Sequence, residues 1–316
     1  MTMTAWLQGA QTIGITGHVR PDGDCVGSCL GLYNYIKQTM PEAQVQVYLE
    51  QPGAEFSYLS GIENIRSTAD ADRKFDVFFV LDCSDMERIR PFAACFANAS
   101  RTICIDHHIS NVKYADMNVV EPEASSTCEV LYKTLEEDQI SKETAECLYT
   151  GIVHDTGVFK YSCTSKDTMA IAGRLMDKGI DYSEIIDSSF YKKTYVQNQI
   201  LGRALLESVL FYQGQCIFSA VSQKEMDFYG VTGKELGGII EQLRLTDGVE
   251  VAIFLYETGN SEYKVSMRSK KYVDVSRIAT LFGGGGHVRA AGCTMQGTVH
   301  DIINNIGAQL ELQMGK

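Results

Sequence analysis

The chain has 316 residues, enough for two domains of ordinary size, and its 45% hydrophobic and 22% charged side chains with only 5 prolines mark it as folded rather than disordered or disulfide-stapled. Its 40 acidic residues against 28 basic ones give a net charge of −12, which excludes a protein that grips long duplex nucleic acid through a positive face. No apolar run approaches the roughly 18–20 residues of a membrane helix, and the N-terminus lacks the basic and apolar regions of a secretory signal, so the cytoplasm is the expected compartment.

In chain order, Thr12–Thr16, Val45–Leu49, Asp76–Leu81 and Arg101–Ile105 are short β-rich runs that read as parallel core strands. Helices are expected from near Asp24 to Lys37 and around Pro91–Ala97, followed by Ser126–Glu137, Lys142–Val153 and Asp167–Met176. Strands alternating with helices imply an α/β domain built on a doubly wound, mainly parallel sheet. A polar, helix-prone stretch at 190–206 is the expected boundary. Beyond it, Gln215–Val221, Val249–Tyr256 and Tyr263–Arg268 read as strands, with helices at Lys234–Leu243 and Val275–Phe282, suggesting a smaller α+β domain with an antiparallel component. The 10 cysteines contain no C-x-x-C pair and sit mostly in apolar contexts, so they are expected to be reduced core residues.

Chemistry in a doubly wound sheet gathers at the carboxyl ends of its strands. The first strand leads into His18-Val19-Arg20-Pro21-Asp22-Gly23-Asp24, the third ends at Asp82, the fourth at Asp106-His107-His108, and the segment after Lys142 delivers His154-Asp155-Thr156-Gly157. Four of the 6 histidines fall in these segments. Taken singly, Asp-Gly is a turn signal, an aspartate after a strand is a helix cap, and paired histidines are solvated loop residues. Their joint placement points instead to metal, because carboxylates and imidazoles on one rim repel and desolvate each other unless cations neutralise them. Nitrogen and oxygen donors without thiolate suit two Mn²⁺ ions, with Mg²⁺ or Co²⁺ as substitutes. A serine or cysteine nucleophile has no accompanying elbow motif or base.

The segments H-V-R-P-D-G-D-C-V-G-S (18–28), L-D-C-S-D (81–85), D-H-H (106–108) and H-D-T-G-V-F (154–159) resemble, in order and spacing, the motifs of the DHH phosphoesterase superfamily. R-S-K-K-Y-V-D-V-S-R-I-A (268–279) and G-G-G-G-H-V-R-A-A-G (283–292) are similar to the DHH-associated domain of its RecJ and nanoRNase-like branch. The resemblance implies a DHH catalytic domain over 1–189, a linker helix over 190–206 and a substrate-binding domain over 207–316. It implies that His18, Asp22 and Asp82 hold one metal and that Asp24, Asp82, His107 and Asp155 hold the other, with Asp82 bridging. Asp106 would orient a histidine, and His108 would face the phosphate or the attacking water. His154 has no expected metal-binding role.

The implied activity is hydrolysis of short oligonucleotides, adenosine 3′,5′-bisphosphate, or both, by a hydroxide that the metal pair activates. Arg268, Gly284, Gly285, Gly286, His287 and Arg289 are the expected substrate-binding residues, aided by Lys270, Lys271, Arg277 and the start of a helix after the glycine loop. A cleft between the domains is the expected binding place. Alternatives are a stand-alone cyclic-di-AMP or pApA phosphodiesterase, a soluble inorganic pyrophosphatase, and an inactive nucleic-acid-binding scaffold. The expected partner is a short oligonucleotide or nucleotide, with no long duplex and no membrane, and a homodimer is the assembly considered.

Overall fold

The computed structural model describes residues 2–70 and 72–315, and the chain divides into two compact units, up to Lys192 and from Lys193. The first contains α1 (Met3–Leu7), β1 (Thr12–Thr16), α2 (Gly23–Thr39), β2 (Gln44–Tyr48), β3 (Ile65–Arg66), β4 (Val77–Leu81), α3 (Ala93–Ala97), β5 (Thr102–Asp106), β6 (Met117–Val120), α4 (Thr127–Tyr132), α5 (Lys142–Asp155), α6 (Lys166–Met176) and α7 (Tyr182–Ile186). A π-helical turn, Asp187–Tyr191, follows α7 directly.

All five strand pairings in this unit are parallel, in the order β3-β2-β1-β4-β5-β6. The order reverses between β1 and β4, which opens a crevice at the carboxyl ends of those strands. Central strands β4 and β5 are buried along their whole lengths, as expected of apolar runs sandwiched between helical layers. Asp22 caps α2, its Oδ1 accepting the N–H groups of Asp24 and Cys25 at 3.2 and 3.1 Å. Ser126 and Ser141 do the same for α4 and α5.

The second unit contains α8 (Tyr195–Leu206), β7 (Val209–Phe211), β8 (Cys216–Val221), α9 (Gln223–Tyr229), α10 (Ile239–Arg244), β9 (Val251–Gly259), β10 (Glu262–Ser269), α11 (Val275–Leu281), β11 (Gly285–His287), β12 (Ala290–Gln296) and α12 (Val299–Met314). Its sheet runs β11-β12-β10-β9-β8-β7, antiparallel except for the parallel β8–β9 pair. Helix α8 lends Ile200 and Ala204 to this unit's core. The expected helix at 234–243 starts only at Ile239, because Gly238 adopts a left-handed φ of 89°. Among the described residues no helix starts directly after the glycine loop, contrary to expectation. The segment forms the β11–β12 hairpin instead, and a Cβ at Gly284 would stand 2.2 Å from the Gly292 carbonyl oxygen. The hairpin removes the expected positive helix end from that loop. Among the described residues no helix is long and apolar enough to cross a membrane.

Candidate metal centre

His18 follows β1, Asp82 follows β4, and Asp106-His107-His108 closes β5, so three neighbouring strands deliver side chains to one rim. Helix α2 adds Asp24 in its first turn and α5 adds Asp155 as its last residue. These helices approach closely at Gly151, where a Cβ would lie 2.7 Å from Asp24 Oδ1, so a larger residue there would push the carboxylate away. Asp82 itself has a left-handed φ of 54°, a conformation that aspartate tolerates and that turns its carboxylate at the strand end.

Asp82 stands at the middle of the cluster. Its Oδ2 lies 3.4 Å from His18 Nε2, while its Oδ1 lies 3.7 Å from His107 Nε2 and 3.6 Å from His108 Nδ1. His18 Nε2 is also 3.7 Å from Asp22 Oδ2, and His107 Nε2 is 3.1 Å from Asp155 Oδ2 and 4.0 Å from Asp24 Oδ2. The structure therefore brings together all six residues expected at the metals, in two groups that share Asp82. His18-Cys25-Asp82, Asp82-His107-His108 and Asp24-His107-Asp155 each place possible ligand atoms within 4.8 Å of one another.

The donor chemistry fits cations. His18 Nδ1 lies 2.9 Å from the Val19 carbonyl oxygen and His107 Nδ1 3.4 Å from that of Ala124, so an Nδ1–H donor on each ring leaves the Nε2 lone pair facing carboxylate oxygens. Only a proton or a cation between those lone pairs makes the contacts attractive. Without metal, burial alone would lower the His18 pKa, but the hydrogen bonds its ring donates to Asp22 and Asp82 outweigh it and raise it to about 11. For His107 burial again opposes, and Asp155 with the neighbouring charges raises it to about 10. Burial, then the charges of Asp82 and Asp155, push Asp24 well above the ordinary carboxylate range. Imidazoles and carboxylates packed at these distances favour positive charge among them.

Behind this group, Asp106 is fully buried and accepts from His108 Nδ1 at 2.7 Å through Oδ1 and from Asn111 Nδ2 at 2.6 Å through Oδ2. Asp106 thus fixes the His108 ring, and its hydrogen bond raises the His108 pKa. Thr127 is a second anchor that sequence reasoning missed: its backbone N–H donates to Asp24 Oδ2 at 2.6 Å and its hydroxyl to Asp82 Oδ1 at 3.1 Å. Neither Asn111 nor Thr127 lies in a motif, so only the folded chain reveals them. His154 turns away from the cluster, donating from Nε2 to Ser189 Oγ at 3.0 Å and packing between Phe56 and Phe190. A Cβ on Gly23 would meet its ring at 2.2 Å, so His154 underlies the turn that carries Asp22 and Asp24.

In the second unit, Arg268 on β10 pairs across the sheet with Ala290, and His287 on β11 pairs with the same residue. Paired residues share a sheet face. Arg268, His287 and Gly285 therefore lie on one face, with Gly284 and Gly286 bracketing that edge. Arg289 instead ties its Nη1 to the Val273 carbonyl at 2.7 Å, Lys270 donates to the Thr246 carbonyl, and Arg277 is an exposed partner of Asp274. Lys271 uses its backbone N–H on the buried Glu250 carboxylate, which also binds the N–H groups of Tyr272 and Val273.

Residues 12–152 match the DHH family, N-terminal domain, and residues 213–311 match the DHHA1 domain. The chain is a DHH–DHHA1 protein. It is 29% identical over 296 residues, 92% of each chain, to a probable bifunctional oligoribonuclease and PAP phosphatase NrnA of Streptococcus mutans. It is 26% identical to the bifunctional oligoribonuclease and PAP phosphatase NrnA of Bacillus subtilis, covering 90% of this chain and 89% of that one. Among solved structures, an exopolyphosphatase-related protein from Bacteroides fragilis superposes with a TM-score of 0.87 at 28% identity, covering 98% of this chain and 94% of that one. The DHH match places this chain in a family of metal-dependent phosphoesterases.

Proposed function

We propose that this DHH–DHHA1 protein is a cytoplasmic phosphoesterase that uses two divalent ions, Mn²⁺ first among them, to hydrolyse short oligonucleotides and adenosine 3′,5′-bisphosphate. The observation that carries this reading is Asp82, whose two oxygens face separate imidazole–carboxylate groups at 3.4 and 3.7 Å. His18, Asp22 and Asp82 would hold one ion, and Asp24, Asp82, His107 and Asp155 the other. Bound there, the ions supply Lewis-acid neutralisation of phosphate oxygens and a lowered pKa for water.

The protein's own groups do the rest. Thr127 and the cap of α2 hold Asp24, Asp82 and Asp22 in place before substrate arrives. Water attacks phosphorus and releases a proton to solvent as the bond to the leaving oxygen breaks; that oxygen takes a proton from His108, which solvent then reprotonates and whose ring Asp106 holds and keeps protonated further up the pH scale. Arg268, the Gly284–Gly286 backbone, His287 and Arg289 would bind the remainder of a short substrate. The names of the Streptococcus and Bacillus relatives support both substrate classes.

The test is a manganese-supplemented turnover panel of pApA, RNAs of increasing length, adenosine 3′,5′-bisphosphate, cyclic di-AMP, pyrophosphate and polyphosphate. Turnover falling with RNA length, together with release of phosphate from the bisphosphate, is expected. Turnover confined to pyrophosphate, polyphosphate or cyclic di-AMP, or no turnover at all, would overturn the reading.

A further inference from the structure

Helix α10 packs on β9 and β10 and carries two charged residues, Glu241 in its first turn and Arg244 in its last, to the margin of the face that bears Arg268 and His287. Glu241 is gripped from both sides there. Its Oε1 accepts from Arg268 Nε at 2.8 Å and its Oε2 from Arg244 Nε at 2.8 Å. Burial would raise the Glu241 carboxyl, but the two guanidinium groups, Arg244 ahead of Arg268, hold it below the ordinary range.

The geometry of this triad is specific. A carboxylate engaging two arginines through Nε leaves the Nη groups of both pointing elsewhere. Arg268 gives one Nη1 hydrogen to the Met267 carbonyl, and among the described residues its Nη2 and both Nη groups of Arg244 have no partner. The side chains are only 30% and 22% exposed, so the guanidinium groups are fixed in place by Glu241 while these remaining donors face solvent. The floor beside them is flat, since Ala290 and Gly292 on β12 share the face with Arg268 and Gly285. The triad's net charge is +1, and its spare donors belong to two separate forks. A phosphodiester offers two free oxygens and one negative charge; a terminal phosphomonoester offers three and a charge of about −1.5 to −2. Two arginine forks match the second.

We propose that Arg244 and Arg268, yoked by Glu241, form a clamp for the terminal phosphomonoester of a short nucleotide substrate, with Glu241 as the positioning residue. This inference rests on the phosphoesterase reading above and adds Arg244 and Glu241 to its binding residues. The clamp makes the protein prefer substrates that carry a terminal phosphate over the same nucleotides without it.

The test compares kcat/KM for pApA and for ApA, which lacks the 5′-phosphate, with full-length manganese-loaded protein. Wild type should prefer pApA. R244Q and R244K should each lower the pApA-to-ApA ratio about tenfold, through KM, because lysine restores charge without the fork. E241Q separates positioning from bulk electrostatics: deleting a negative charge beside two arginines tightens anion binding if only charge matters, whereas a broken yoke weakens it. The ratio should therefore fall in E241Q. All three substitutions lie in partly exposed ion pairs, where folding tolerates exchange. A wild type that turns over both dinucleotides equally, an unchanged ratio in R244Q, or a raised ratio in E241Q would overturn the clamp while leaving the phosphoesterase reading intact. Failure of wild type to hydrolyse either dinucleotide would overturn both.

Discussion

Asp82→Asn is the most informative single change, because asparagine keeps the size of the side chain, accepts the Thr127 hydroxyl and tolerates the left-handed backbone at φ 54°. What it removes is the charge shared by the two groups centred on His18 and His107, at 3.4 and 3.7 Å. Losing one well-placed electrostatic contact in an active site costs about 10²–10³-fold in rate. Asp82 serves two groups at once, so the expected loss in kcat is about 10⁴-fold or more. Metal binding gives an independent readout. Ligand at a hundred times its Kd stabilises a protein by about 2.7 kcal/mol, which for a unit of this size is a rise of about 5–11 °C in thermal midpoint. Wild type should show that rise on adding Mn²⁺ to the metal-free protein, and Asp82→Asn should show less than a third of it. A variant that keeps activity within tenfold of wild type, along with the full Mn²⁺-induced rise, would refute the shared role of Asp82.

Metal affinity should tighten with pH. His18 and His107, raised to about 11 and about 10 in the metal-free protein, must each release a proton before Nε2 can bind an ion, so the apparent Kd for Mn²⁺ should fall by about tenfold per pH unit for each proton displaced between pH 6 and 8, as read by calorimetry in buffers of different ionisation heat. In the metal-free protein the sign is opposite: stability conferred by raised histidines is complete below about 6.5 and is lost as pH climbs toward 10 and 11, so the metal-free thermal midpoint should decline over that window. Asp106→Asn should lower kcat by about 10–100-fold with little change in KM and move the alkaline limb of the kcat profile to lower pH, because His108 loses the hydrogen bond that raises it. Gly23→Ala should impair turnover by forcing its new Cβ into the His154 ring, and adding His154→Ala should recover a measurable part of it; a double variant no better than Gly23→Ala alone would show that the two residues are not coupled.

The first unit was legible in the sequence wherever local pattern and global fold agree. Apolar runs such as Val77–Leu81 have no other good use than buried parallel strands, and the aspartates and histidines after them could only meet at a strand-end crevice. Short or weakly patterned elements were not legible. Strands β3 and β6 form at the sheet edges with little apolar signal, and α12 escaped notice although its Ile302, Ile306 and Leu310 stripe buries one face. The helix expected after the glycine loop failed for a different reason: Ala290-Ala291-Gly292 suits a helix locally, but pairing with Ser266–Arg268 on β10 overrides that preference.

The same division holds within the candidate site. Residues that would touch a metal announce themselves by type, since few other roles require buried aspartates beside imidazoles. The groups that hold them do not. Thr127 and Asn111 are ordinary polar residues whose work depends on where α4 begins and on how the chain leaves β5, and neither can be read from spacing. Glu241 and Arg244 look in sequence like an i,i+3 surface pair, worth a few tenths of a kcal/mol at most. Only when β10 brings Arg268 against the other carboxylate oxygen does that pair become a three-residue unit with donors to spare. Sequence therefore reveals the atoms that perform chemistry more readily than the atoms that choose the substrate, because reactive groups are restricted in type whereas orienting groups are restricted only in position.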